Sequence, residues 1–136
     1  MIQRVQTVWM LLAALAVFLT LKFLFYSGTL ISDNLYHPLL ATDNLLILIL
    51  TSALGTGIVI NIFLFKNRKV QSRIILLAVI MECVIIFLYI KQTDQYSAGS
   101  YSLWSALHIL IIIFLFLAAR GIYKDSKLIR DSNRLR

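Results

Sequence analysis

Four long apolar runs separated by short polar segments organise the chain, at about residues 7–26, 45–65, 74–90 and 103–119. As helices rising about 1.5 Å per residue, they reach roughly 25 to 32 Å, matching a hydrocarbon layer about 30 Å thick. The pattern predicts four transmembrane helices. Four buried helices of a soluble domain in direct succession fit it poorly. The first run, TVWMLLAALAVFLTLKFLFY, also has the basic-then-apolar order of a signal peptide. No small-x-small cleavage site follows it promptly, and Phe23 to Tyr26 extend the run, so it is expected to stay as a helix. Lys22 stands about one turn from its outer end, where a long stem can snorkel.

The segments between the runs differ in character. Residues 27–44, SGTLISDNLYHPLLATDN, carry several leucines and an isoleucine and are expected to fold back on the membrane surface or the helix ends, where they can meet a partner. Residues 91–102, KQTDQYSAGSYS, are polar and turn-like and look like a plain connection.

Composition supports the membrane assignment. Of 136 residues, 60% are hydrophobic, 14% charged and one is proline, which leaves a soluble domain of this length with too much apolar surface to pack. No repeat or composition break divides residues 1–136, so a single domain is expected. Charge gives a direction: Arg4, Lys66, Arg68, Lys69, Arg73, Arg120, Lys124, Lys127, Arg130, Arg134 and Arg136 fall on one side, against Lys22 and Lys91 on the other. The positive-inside rule then places both termini in the cytoplasm, with residues 120–136 a short basic tail. Trp9, Tyr26, Tyr89, Trp104 and Tyr123 lie near helix ends, as an aromatic belt would. The fold class expected is therefore all-α: a polytopic membrane protein with four transmembrane helices.

The opening MIQRVQTVWMLLAALAV, the link FLFKNRKVQSRI and the close ARGIYKDSKLIRDSNRLR resemble a family of small four-helix integral membrane proteins of unknown function from Bacteroidota. The resemblance covers essentially the whole chain. It implies a bacterial inner-membrane location and four helices. It carries over no catalytic or binding residue.

Candidate chemistry is sparse. Glu82 stands alone inside ILLAVIMECVIIFLYI, eight residues from either end of the third run and hence about 12 Å from each interface. An acid at a helix centre costs on the order of 2.5 to 3.5 kcal/mol to insert, so Glu82 should face the bundle and find a partner. By depth, Thr56 and Ser52 on the second helix are the nearest candidates, with Asn61 nearer the cytoplasmic end and His108 nearer the outer end. Asn61, Glu82, His108 and Lys22 form a ladder if all face inward. Such a ladder reads as a proton or ion relay, or more simply as polar glue fixing helix register. Asn61 is expected to bond a neighbouring backbone, and His108 to be a satisfied packing histidine. Ala53, Gly57 and Asn61 at spacing four favour close helix approach, within the bundle rather than at a homodimer seam.

Cys83 is the single cysteine and, with no internal partner, is expected to pack as a small apolar side chain. His37, in the first outer loop, is the only other histidine, so no metal-ligand set is visible. The chain has no CxxC, HExxH, phosphate-binding glycine loop or nucleophile triad spacing, and no cofactor is expected. The basic tail suits anionic lipid head groups, and its interrupting Asp, Ser and Asn residues also suit a protein partner. Nucleic acid is disfavoured, because Tyr123 is the tail's sole stacking aromatic. The leading expectation is a non-enzymatic accessory or structural subunit of an inner-membrane assembly, with a membrane protein partner or a homo-oligomer. The alternative is a small proton- or ion-coupled transporter centred on Glu82.

Overall fold

The computed structural model describes residues 5–134, with side chains described as far as Asp131. Four helices carry the fold: α1 Val5–Thr20, α2 Leu45–Phe63, α3 Arg68–Thr93 and α4 Ala106–Arg134. Packing runs in a ring, α1 against α2 and α4, and α3 against α2 and α4. The buried positions explain the ring. On α2 they are Ile47, Thr51, Leu54, Gly55, Ile58 and Asn61; on α3 they are Gln71, Ile75, Ala78, Glu82, Ile85 and Tyr89. On α4 they are His108, Ile111, Leu115, Ala118 and Ile122. Gly55 aside, each series alternates steps of three and four, the seam of a bundle packed like a left-handed coiled coil. Helix α1 meets this seam with Ala13, Ala14 and Ala16, small enough to let its backbone come close.

The outer surface is apolar too. Leu76, Leu77, Ile80 and Phe87 on α3, and Ile109, Ile113 and Phe116 on α4, are exposed. A helix that is apolar on every face needs apolar surroundings. Three segments are long and apolar enough to cross a membrane: Leu45–Phe63, Arg68–Thr93 and Leu103–Asp131. Helix α1, with 16 residues, is shorter, about 24 Å.

The expectation of an all-α chain needs correction. The segments 27–44 and 91–102 supply strands, β1 Tyr26–Leu30, β2 Tyr36–Leu39 and β3 Tyr96–Tyr101, joined in one antiparallel sheet of order β2-β1-β3. Helix α1 accordingly ends at Thr20 rather than near residue 26. Its last turn closes with bonds from the Leu21 and Lys22 amides to Phe18 and Leu19, and the aromatic Phe25 and Tyr26 go to the sheet. The hairpin between β1 and β2 turns at Asn34, whose φ of 56° is left-handed, a conformation asparagine tolerates. Asp33 accepts a bond from the Leu35 amide within the same turn. Pro38 is admissible because β2 is an edge strand. Residues 91–102 are thus more than a connection, since β3 completes the sheet on the far side of β1.

One close approach fixes the sheet. Gly28 and Gly99 stand directly opposite each other, and a Cβ on Gly28 would collide with the carbonyl oxygen of Ala98. Only glycine permits β1 and β3 to lie this close.

The basic segments are helical rather than loop or tail. Arg68, Lys69 and Arg73 occupy the first turns of α3, leaving a link of residues 64–67. Helix α4 runs on through Arg120, Lys124, Lys127 and Arg130. These are good helix formers uninterrupted by proline, so the helix outlasts its apolar part. Arg4 and Arg136, and the side chain of Arg134, lie outside the described residues.

Candidate functional site

Glu82 meets His108, not Thr56 or Ser52. Nδ1 of His108 lies 2.6 Å from Oε1 of Glu82, and a hydrogen on either partner completes the bond. The two side chains are 4% and 1% exposed, so the bond is shielded from solvent. Ser52 and Thr56 instead donate to carbonyls of their own helix, Leu48 and Ser52, and Thr56 faces outward. Such back-bonding satisfies a hydroxyl that has no polar neighbour on another helix.

Depth counted along the sequence placed His108 too far out. Strand β3 explains the difference, because its six residues span about 20 Å and lead back toward the bundle before α4 starts. His108 thereby enters in the first turn of α4, yet meets an acid 11 residues before the end of α3.

The sheet closes over this pair through Phe25. The Phe25 amide donates to the Leu39 carbonyl, and the Ser102 amide donates to the Phe25 carbonyl, so its backbone is held from both sides. Its ring stacks on Tyr89 at 4.3 Å between centroids and meets the His108 imidazole edge-on at 5.4 Å. Tyr89 also meets that imidazole edge-on, at 5.2 Å. Tyr89 is therefore no part of an interfacial belt: it is wholly buried, and its hydroxyl has no hydrogen-bond partner. Nearby on the surface, Trp104 stacks on Phe23 with centroids 3.8 Å apart.

Asn61 belongs to a second cluster, toward the basic end. Its amide nitrogen donates to the Gln71 carbonyl at 3.2 Å, and the Gln71 amide nitrogen donates to the Asn61 carbonyl at 3.3 Å. Both nitrogens also approach the sulfur of Met10 on α1, at 3.7 and 3.8 Å. The expected bond to a neighbouring backbone is present, with its partner on the adjacent helix. Gln71 and Glu82 are 11 residues apart on α3, about 16 Å, and the α3 seam between them is Ile75 and Ala78. No ladder joins the two clusters among the described residues, and Lys22 is exposed beyond the end of α1.

Other candidates also find their places. Gly57 would admit a Cβ into open space and Ala53 is exposed, so the small residues at spacing four do not pack inside the bundle. The close approach falls at Gly55, where a Cβ would lie 2.9 Å from the Phe18 ring. Cys83, next to Glu82, points outward. Lys66, Lys69, Arg73, Arg120, Lys124, Lys127 and Arg130 are exposed and Arg68 is half-buried.

Sequence reasoning passed over Phe25, Gln71 and Gln6, the last of which is buried on α1, and misplaced Tyr89. Gln71, Glu82 and Tyr89 share one series, 71, 75, 78, 82, 85 and 89, which is visible as alternating steps of four and three.

These features define a class: a helical bundle, apolar inside and out, with an acid–histidine pair sealed beneath a three-stranded sheet. The chain belongs to the family described as a domain of unknown function, DUF4293, whose model matches residues 2–135. No curated protein and no solved structure matches it.

Proposed function

We propose that the protein is a non-enzymatic accessory or structural subunit of a larger assembly in the bacterial inner membrane, with the basic end in the cytoplasm. The apolar outer surface suits lipid or partner helices. Lys66 to Arg73 and Arg120 to Arg130 lie at the end opposite the sheet, the distribution the positive-inside rule requires. Helix α1 would cross as well, extended by Leu21 to Phe25 into the sheet. The resemblance of the chain ends to a Bacteroidota family supports the same compartment.

One observation carries the structural reading: the interior polar groups that bond across helices, Asn61 with Gln71 and Glu82 with His108, form two separate ties with an apolar layer on α3 between them. A relay needs polar groups or water along a continuous path. Ties of this kind hold helices in register and leave the outer faces for partners. Purification of the chain at endogenous levels in mild detergent should recover a stable membrane partner or a homo-oligomer. Recovery of the free chain alone would contradict the proposal.

A second reading is favoured by the short Glu82–His108 bond and by the unpartnered hydroxyl of Tyr89, whose ring meets His108 edge-on. In that reading Glu82 is the centre of a proton- or ion-coupled transporter. Glu82→Gln then abolishes the cellular activity while membrane abundance and assembly stay at wild-type levels. A fall in abundance or loss of the assembly supports the structural reading instead.

A further inference from the structure

At the basic end α1 and α4 touch through Gln6 and Gly121, where a Cβ on the glycine would come within 3.0 Å of the Gln6 Cβ. Beside this contact lies a cavity of about 660 Å³. Its polar lining is Gln6, Arg68, Arg120, Lys124 and Asp125, three cations against one carboxylate. Trp9 and Leu117 add apolar wall toward the bundle, and Leu128 continues it along α4.

The side chain of Gln6 is the unusual element. It is 2% exposed, and neither its amide nitrogen nor its amide oxygen has a hydrogen-bond partner. Nη1 of Arg68 is likewise shielded and unpartnered. Buried polar groups are ordinarily satisfied, so two donors and an acceptor left open at one cavity mark a place shaped for a ligand. The ligand must bring anionic oxygens for the guanidinium, the ammonium and the amide N–H, and a donor for the Gln6 oxygen. It must also have apolar surface to lie against Trp9 and Leu117.

We propose that this cavity binds one anionic glycerophospholipid. Its phosphate lies among Arg68, Arg120, Lys124 and the Gln6 amide nitrogen. A head-group hydroxyl donates to the Gln6 amide oxygen, and an acyl chain follows the apolar wall. The proposal rests on the membrane reading above, which sets the basic end at head-group depth. The net positive lining selects an anionic lipid over a zwitterionic one.

The test uses the full chain in detergent, titrated separately with phosphatidylglycerol, phosphatidylcholine and inorganic phosphate, with lipid-bound protein counted by native mass spectrometry. Phosphatidylglycerol should bind in preference to phosphatidylcholine, and inorganic phosphate should not displace it. Arg120→Ala with Lys124→Ala should weaken phosphatidylglycerol binding about thirtyfold, the effect of two removed cations. Lys127→Ala with Arg130→Ala removes two charges of the same helix that do not line the cavity, and should leave binding unchanged. Gln6→Leu should weaken binding while the fold persists, because an apolar side chain leaves nothing unsatisfied there. Equal binding of phosphatidylcholine, equal loss in the Lys127 and Arg130 control, or displacement by inorganic phosphate would each overturn the lipid site. Alkaline carbonate extraction of cell membranes separates the two claims. Release of the chain by carbonate sinks the membrane reading, whereas retention without lipid preference sinks only the site.

Discussion

The two polar clusters sit on the same helix seam but are built differently. At the basic end, Asn61 and Gln71 reach each other's backbone across helices that neighbour in sequence, ten residues apart. At the sheet end, Glu82 and His108 are 26 residues apart, and their enclosure also needs Phe25 and strand β3. The first tie is local and can form with the α2–α3 hairpin alone. The second is enclosed only when α3, α4 and the sheet with Phe25 are in place, because its contacts span the longest loops. The basic-end tie therefore specifies a hairpin, and the sheet-end pair specifies the whole fold.

The largest effect expected is at the sheet end. His108→Leu leaves Glu82 buried and unpaired, and should lower stability by about 2 to 3 kcal/mol in detergent unfolding. Gly28→Val should come next, costing roughly 1 to 3 kcal/mol as the side chain forces β1 from β3. Its signature is faster proteolysis at residues 91–103, with the Asn61–Gln71 tie intact. Asn61→Ala should cost less, about 1 kcal/mol, and leave the sheet as resistant to protease as in the wild type. A comparable loss of sheet protection in Asn61→Ala would merge the two regions into one cooperative unit.

The smallest effect is a pH response confined to the hairpin. The Leu35 amide, and less strongly His37, hold the Asp33 carboxyl below its ordinary value of 3.8. A depressed folded-state value stabilises above the ordinary value and is lost as pH falls below it. Protection of the Leu35 amide from hydrogen exchange should therefore drop on acidification below about that value. Amides of α2 and α3 near Asn61 should show no matching change.

Much of the bundle was legible because apolar runs at membrane length leave little choice. Glu82, Asn61 and His108 could be identified as interior groups from their isolation in those runs. Their pairing could not, since depth was counted along helices with assumed ends. The hidden quantity was the return path of β3, which brings His108 to the depth of Glu82. The sheet had a partial signal: SDN, a turn sequence, follows a segment with Tyr26, Thr29 and Ile31 and precedes one with Tyr36 whose Pro38 is allowed only on an edge. The sheet's partner strand YSAGSY had only its two terminal tyrosines to mark it, and its small residues matter through Gly99 opposite Gly28 rather than through propensity. The basic segments read as link and tail because charge marks the end of the membrane, whereas hydrogen bonding lets the helix continue past it.

Glu82 and His108 tie α3 to α4. A double-mutant cycle in detergent unfolding measures that directly, using Glu82→Leu, His108→Leu and both together. The predicted result is a favourable coupling of about 1 to 2 kcal/mol, with the double variant more stable than either single one. Coupling near zero, with Glu82→Leu as stable as the wild type, would contradict it.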